Sequence, residues 1–570
     1  MPTLAQHIQA IIQNIFETEF TNSTAQVQVE YCDYQYGHLA CNIALTAAKE
    51  LNMQPMKIAQ IMVYKLNQVS EISSAEVQQP GFINIKLSDD LLIEHIKLIN
   101  DDIQTYIGHP GKGKKMAIDY SHPNIGKPMG VHHLLSTIIG DSIKLTYKQL
   151  GYEVIADNFI GDMGTQFGKL IHAVKTWGDM QAIEKNPVPE LLKLYVRFHI
   201  TADSDDTLDD AGRAEYKKLE EGDPENRALL KKIQAWSMAE ILEIYNTLGV
   251  EFDYFNGESF YEDKLSSIID IGLQMKLFVK SQGALVCKLD NPDEPPALIQ
   301  KSDGTSLYLT RDLARIKYWQ DTWQPDLMVN VVDVAQTLQL KQLFEVANKL
   351  SLTDAKNIHV VFGRMNFKDE NMSTRKGNII LVGDLLDTIR QKVNNQIVSL
   401  SKDLTLTEQK ELCDILTINI IKYTILHQNR LSNITFDWDS ALALEGDSAP
   451  YLAYSCVRMS SIKHNVELLG DKTDKLSSQR GTLDKQEIEL ILELSKLPQT
   501  FRRACEGFQP SELAHYCYEL CRMYNSFYHT HRIIHDDNTV DKQSLLINNS
   551  VLQVIKVCFA VMGMQVPNKM

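Results

Sequence analysis

The sequence predicts an α/β protein built around a parallel sheet, with a small α/β unit ahead of it and an all-helical bundle behind it. Three observations predict this. First, "MAIDY" (Met116–Tyr120), a turn, an amphipathic run from Val131 and then "EVIADNF" form a β-turn-α-β unit, the building block of a parallel sheet. Second, the apolar runs "DLMVNVVDV" and "NIHVVFG" flank a helical pattern at Gln336–Leu350 and resume the same architecture. Third, from about residue 386 the periodicity is almost wholly helical, with "YLAYSCVRMSSIKH" and "ELAHYCYELCRMYNSFYHTHRII" as strong amphipathic stretches.

The chain of 570 residues is long enough for roughly three to four domains. Helical spacing in Leu4–Phe20 and Leu39–Leu51, then a strand in "GFINIKLS", give a small unit over residues 1–110, closed by the Gly/Lys-rich connector "GHPGKGKK". A parallel-sheet domain over 111–385 follows, and a helical domain over 386–570 ends the chain. Within the sheet domain, about 178–250 is helical and densely charged, which reads as a solvated helical insertion.

The net charge of −16 excludes a uniformly basic coat for nucleic acid, but not local basic patches. Nine cysteines without a C-x-x-C pair fit a reducing compartment, and Cys517 and Cys521 share a helix face as buried thiols rather than as a zinc site. No apolar run of about 18 residues predicts a membrane span, and the N-terminus lacks the basic start of a signal peptide. A cytoplasmic protein with no bound metal is expected.

The chemistry concentrates in two loops. In "SHPNIGKPMGVHHLLST" (Ser121–Thr137) a strand turns into a helix, so backbone N–H groups and the positive helix end face whatever binds there. Gly126 and Gly130 admit a ligand to the backbone, Lys127 adds a mobile cation and His133 a donor on the first helical turn. A phosphate chain suits these groups, although the spacing matches neither the P-loop nor G-x-G-x-x-G; a tight turn with capping histidines is the alternative. Adjacent His132 and His133 point about 100° apart on a helix, which disfavours joint metal chelation. "NMSTRKGN" (Asn371–Asn378), after the strand "NIHVVFG", is a second cationic loop suited to gripping and releasing phosphates; alone it could equally be a basic surface loop.

These two loops, in this order, resemble the "HIGH" and "KMSK" signatures of the class I aminoacyl-tRNA synthetases, and the chain is most similar to the arginyl-tRNA synthetase family. The resemblance runs nearly end to end through "SHPNIGKPMGVHHLLSTIIGDS", "NFIGDMGTQFG", "SLYLTRDLA", "VVDVAQTLQLKQLF", "MSTRKGN", "GDSAPYLAYSCVR" and "MGMQVPNKM". It implies an N-terminal domain that contacts tRNA, a split Rossmann catalytic domain and an anticodon-binding bundle. It implies an arginine–tRNA ligase that uses ATP and Mg2+, with L-arginine and tRNA(Arg) as partners, acting as a monomer and requiring bound tRNA for activation. The alternative is a catalytically weakened paralogue that binds tRNA.

The resemblance assigns Gly130, His132, His133, Met372, Ser373 and Lys376 to ATP, with Lys127, His133, Ser373, Arg375 and Lys376 as the charge-neutralising set. It assigns Asn124, Glu258, Tyr308, Asp312 and Gln336 to arginine. A guanidinium is a planar fork of donors best answered by carboxylates, and a helix starting near Thr310 could bring Tyr308 and Asp312 to one pocket. Without the resemblance, Glu258 and Asp312 would read as surface or helix-cap acids. Tyr451, Arg458, Tyr516 and Arg522 are candidates for contacting anticodon bases, at a spacing that also suits core packing.

The sequence departs from the family pattern at several points. Gly130 stands for the first histidine of "HIGH" and His132 for its glycine. Asn371 stands for the first lysine of "KMSK", Gln339 for an expected histidine and Leu135 for an expected arginine.

Overall fold

The computed structural model describes residues 3–205, 207–302, 304, 307–368, 380–400, 404–469 and 482–570. At the N-terminal end, Thr3 closes a capping box with Gln6 and starts the helix Leu4–Glu19, whose Leu4, Ile8, Ile12 and Phe16 form one buried stripe. That stripe packs near an antiparallel sheet in the order Val29–Tyr31, Leu39–Cys41, Phe82–Leu87, Ile72–Gln78. The sequence expectation of a helix over Leu39–Leu51 is corrected here. Leu39–Cys41 is a strand bonded on both edges, and only Ile43–Ala47 is helical. Leu39 and Cys41 bury at alternate positions, so the period of two governs this short run.

The central sheet is parallel throughout, in the order Lys356–Phe362, Leu327–Asp333, Lys115–Asp119, Glu153–Asp157. These strands are nearly continuous apolar runs because both faces are covered. Lys115–Asp119 leads through the turn into the helix Val131–Gln149, which Gly151 ends in a left-handed conformation (φ +86°) before Glu153–Asp157. Strand order reverses between Lys115–Asp119 and Leu327–Asp333. A crevice therefore opens where the loops after these two strands diverge, the usual ligand position in open parallel sheets.

Between the two halves lie the helices Thr165–Trp177, Met180–Lys185, Pro187–Ala202, Thr207–Glu221 and Pro224–Leu248. A further unit that periodicity did not mark is a three-stranded antiparallel sheet, Phe278–Ser281, Ala284–Cys287, Ala297–Gln300. It packs with the helices Leu265–Gln274 and Tyr308–Trp323 around a core of its own that includes Tyr261, Phe278, Trp319 and Trp323.

The helices of the C-terminal part include Leu406–Leu426, Ala449–Leu469, Ser511–Thr530 and Lys542–Val561. The last is long and apolar enough to cross a membrane, but most of it is buried against its neighbours as a core helix. Cys517 and Cys521 are fully buried free thiols in this bundle. One short strand in this part, Ile434–Phe436, pairs in parallel with Met365–Phe367, which follows the central sheet. Half-buried Arg430 joins the two parts as well, donating Nε to the Phe508 carbonyl at 2.7 Å and a second nitrogen to the Val361 carbonyl.

Candidate functional site

The crevice holds a cavity of about 270 Å³ lined by Asn124, Glu258, Tyr308, Asp312 and Gln336, the five positions read from the sequence. They arrive on four different pieces of backbone. Asn124 lies in the turn after Lys115–Asp119 and bridges Gly161, where a Cβ would sit 2.5 Å from the Asn124 Oδ1. Glu258 opens the 3-10 turn Glu258–Lys264 and is tied down by its N–H to the Ile160 carbonyl (3.0 Å). Tyr308 and Asp312 stand four apart on the helix Tyr308–Trp323, which starts two residues before the expected Thr310. Gln336 ends the short turn after Leu327–Asp333.

The two acids differ in environment. Glu258 is 7% exposed, and no hydrogen bond or ion pair from another described residue reaches its carboxylate. Burial pushes its pKa up to about 7, against the pull of Arg311 and with the push of Asp162 and Asp312. Asp312 is paired already. Its Oδ1 accepts from Arg315 Nη2 at 3.0 Å and its Oδ2 from Gln339 Nε2 at 3.3 Å. Burial still raises its carboxyl, with Arg315 opposing the shift.

The sequence reading missed several lining residues: Asp119, His122, Phe159, Arg315 and Gln339 as a contact to Asp312. Asp119 is the last residue of its strand, and strand ends are where ligands bind, so position alone could have found it. Arg315 is three residues after Asp312 on one helix, a spacing that pairs side chains. His122 carries no such signal. It and Ser121 both hold left-handed backbone (φ +51° and +83°), a costly conformation for residues other than glycine. Ser121 is fixed by its N–H to Ser136 Oγ (2.9 Å) and by contacts of its hydroxyl with Thr137 (2.7 Å) and Tyr245 (2.6 Å).

In the adjoining strand-to-helix turn, Gly130 is the N-cap of the helix Val131–Gln149 and donates its N–H to Nδ1 of His133 at 3.2 Å. Burial first, then His132 and His122, hold the His133 pKa down to about 3, so the ring is neutral. The His132 ring turns outward and lies 3.9 Å from that of His133. Lys127 places its ammonium 4.3 Å from the ring centre of Tyr195 on a neighbouring helix. Gly126 is left-handed (φ +80°) and gives its N–H to Ser237 Oγ at 2.9 Å, so it serves the turn's packing rather than ligand approach.

Met372, Ser373, Arg375 and Lys376 lie outside the described residues, as does Asn371. The flanks of that segment are anchored. After it, Ile380–Val382 pairs with the turn before the helix Val131–Gln149, through Val131 N–H to the Ile380 carbonyl (3.1 Å) and Val382 N–H to the Met129 carbonyl (2.9 Å). Before it, Lys368 pairs with Asp437 at 2.6 Å.

The four tRNA candidates separate into three places. Tyr451 and Arg458 line one cavity of about 620 Å³ with Tyr454, Asn525, His529 and Met570. Asn525 donates to the Tyr451 hydroxyl and accepts from Arg458, each at 2.9 Å, and Arg458 lies against the rings of Tyr454 and Tyr528. Arg522 lines a different cavity, with Tyr31 and Tyr34 of the N-terminal unit, and pairs with Glu519. Tyr516 is corrected: it is 6% exposed, and its hydroxyl donates to the carbonyls of Glu493 and Leu494. A ring packed in that way has no face free for a base.

Comparison with known proteins follows the same division of the chain. Residues 96–438 match the family model described as tRNA synthetases class I (R), catalytic domain. Residues 2–87 match the arginyl tRNA synthetase N terminal domain, and 452–570 the DALR anticodon binding domain. An arginine–tRNA ligase of Fusobacterium nucleatum is 36% identical over 572 residues, covering 100% of this chain and 99% of that one. One of Clostridium botulinum is 34% identical, covering 97% of this chain and 100% of that one. Among solved structures, the arginyl-tRNA synthetase of Plasmodium falciparum superposes with a TM-score of 0.78 at 27% identity, over 100% of both chains.

Proposed function

Because this chain belongs to the class I arginyl-tRNA synthetases, and so is an arginine–tRNA ligase that uses ATP, we propose which of its residues bind each substrate and carry the reaction. The 270 Å³ cavity binds L-arginine. The observation that carries this is Glu258: a desolvated carboxylate with no partner among the described residues, in a cavity whose other two acids, Asp119 and Asp312, are already paired. A guanidinium answers that carboxylate with a planar fork of donors. Asn124, Tyr308 and Gln336 complete the wall and orient the rest of the amino acid.

ATP, as its magnesium complex, lies across the phosphate turn. The carboxylate of arginine attacks the α-phosphorus, the bond to the bridging oxygen breaks and pyrophosphate leaves, giving arginyl-adenylate. No proton moves in this step, so the protein's work is alignment and charge stabilisation. His133 is suited to it. Its Nδ1 is occupied by the Gly130 N–H, which leaves the Nε2–H as the donor towards a phosphate oxygen. Lys127 would leave the Tyr195 ring to reach the phosphates. Met372, Ser373, Arg375 and Lys376 grip the triphosphate from the second loop, a reading supported by the pairing of its flank, Ile380–Val382, with the phosphate turn. The arginyl group then passes to a terminal ribose hydroxyl of the tRNA.

We place the anticodon contacts of Tyr451 and Arg458 in the 620 Å³ cavity, where an aromatic ring and a guanidinium lie side by side. We take the enzyme to be cytoplasmic, supported by nine cysteines that are all free thiols. Arginine-dependent ATP–pyrophosphate exchange, run with and without tRNA, tests the assignment. Exchange that Glu258→Gln weakens through KM for arginine supports it. A Glu258→Gln enzyme with the wild-type KM for arginine overturns it.

A further inference from the structure

We propose that Arg315 is a positioning residue that sets specificity for the substrate: it pairs Asp119 and Asp312 in advance, so that Glu258 is the one carboxylate left to receive the incoming guanidinium. This rests on reading the cavity as the arginine site.

Arg315 is 3% exposed, yet it lines that cavity. Its Nη1 donates to Asp119 Oδ2 at 2.6 Å and its Nη2 to Asp312 Oδ1 at 3.0 Å. The guanidinium is held between the rings of Phe159 (5.0 Å) and Trp319 (4.9 Å). Its Nε has no acceptor among the described residues, so the ring contacts and the two ion pairs define its place. The protein thus keeps a guanidinium of its own inside a pocket for a guanidinium.

The consequence follows from counting partners. Asp119, Asp312 and Glu258 would otherwise be three buried carboxylates facing one space. A substrate cation could then settle against any of them, at different depths from the phosphate turn. Arg315 occupies two of them with its donors and leaves one without a cationic partner among the described residues. A single anchor fixes the distance between the substrate's guanidinium and its reacting carboxylate, and that distance is what separates arginine from a guanidino acid one methylene longer. An ammonium in place of Arg315 would keep the charge but not hold two carboxylates in a planar fork.

The test uses the full-length enzyme with tRNA in pyrophosphate exchange. KM for arginine, KM for ATP and the kcat/KM ratio of arginine to homoarginine are measured for the wild type, Arg315→Lys, the charge-balanced Arg315→Met/Asp119→Asn pair, and Glu258→Gln. Arg315→Lys is expected to raise KM for arginine by about tenfold, with KM for ATP little changed, and to narrow the preference for arginine by a similar factor. The charge-balanced pair is expected to recover part of the KM but not the preference, and it carries the test if Arg315→Lys does not fold. Wild-type KM and preference in Arg315→Lys, beside a raised KM in Glu258→Gln, would overturn the role of Arg315 alone. Equal rises in both KM values would overturn it too. An unchanged KM for arginine in Glu258→Gln would instead remove the cavity assignment beneath it.

Discussion

The backbone N–H of Gly130 donates to Nδ1 of His133 across 3.2 Å, which fixes the imidazole as an Nε2–H donor at the head of the helix Val131–Gln149. The same burial that makes the ring a neutral donor lowers its pKa from 6.5 to about 3. The sign follows directly. As pH falls below 6.5, the unfolded chain protonates this histidine while the folded one does not, so folded stability drops between pH 6.5 and 3. His133→Gln abolishes this contribution. Relative to wild type, the variant's unfolding free energy should improve by about 2 kcal/mol between neutral pH and pH 5. Urea unfolding of both proteins across that range measures it, and a pH-independent difference would contradict a buried neutral ring.

Glu258 titrates in the opposite sense. With its pKa raised to about 7, the empty pocket holds it partly protonated near neutral pH. A guanidinium favours the carboxylate, so arginine binding should release a proton, and affinity should rise as pH increases through 7 and level off above it. Calorimetric titration with arginine in two buffers of different ionisation enthalpy reads the proton directly. Glu258→Gln should abolish both the proton release and the pH dependence. It should also weaken binding on the order of tenfold to a hundredfold.

Tyr451 and Tyr516 were alike in the sequence and should now behave differently. Tyr451→Ala and Arg458→Ala should raise KM for tRNA and leave KM for arginine unchanged, because both line the bundle cavity remote in sequence from the arginine pocket. Tyr516→Phe should leave both unchanged and cost about 1 kcal/mol of stability, the worth of a hydroxyl bonded to two carbonyls. Aminoacylation kinetics and denaturant midpoints separate the two effects.

Val382 begins the helix Val382–Leu400 and donates its N–H to the Met129 carbonyl, in the turn proposed to hold the phosphates. Proline is tolerated at the first helical position but has no N–H. Val382→Pro should therefore loosen the join between the second signature loop's flank and the turn at little expense to the fold. The expected result is a raised KM for ATP, by roughly threefold to tenfold, with the thermal midpoint within a few degrees of wild type. An unchanged KM for ATP would show that this pairing does not hold the two loops in register.

The central sheet was legible because its strands obey local rules: short apolar runs, a helix of matching length between them and glycine at the helix end. Leu39–Cys41 was not. Its alternation spans three residues, and its strand character depends on the partners at Phe82–Leu87 and Val29–Tyr31. The antiparallel unit at Phe278–Gln300 escaped for the same reason, since its strands are four residues each and are specified by pairing.

At the site, the sequence by itself determined, through its resemblance to a family, five positions that the fold brings to one cavity, Asn124, Glu258, Tyr308, Asp312 and Gln336. Only the tertiary structure decided how charge is shared among them. Asp312 and Glu258 are both carboxylic acids in the sequence, with nothing there to tell their surroundings apart. In the fold one is paired with Arg315 and the other has no partner among the described residues, and Tyr516 is withdrawn into the core while Tyr451 lines a cavity. The reason is physical: desolvation and ion pairing depend on what distant segments bring within a few ångströms, and strands and helices far apart in the chain are what meet there.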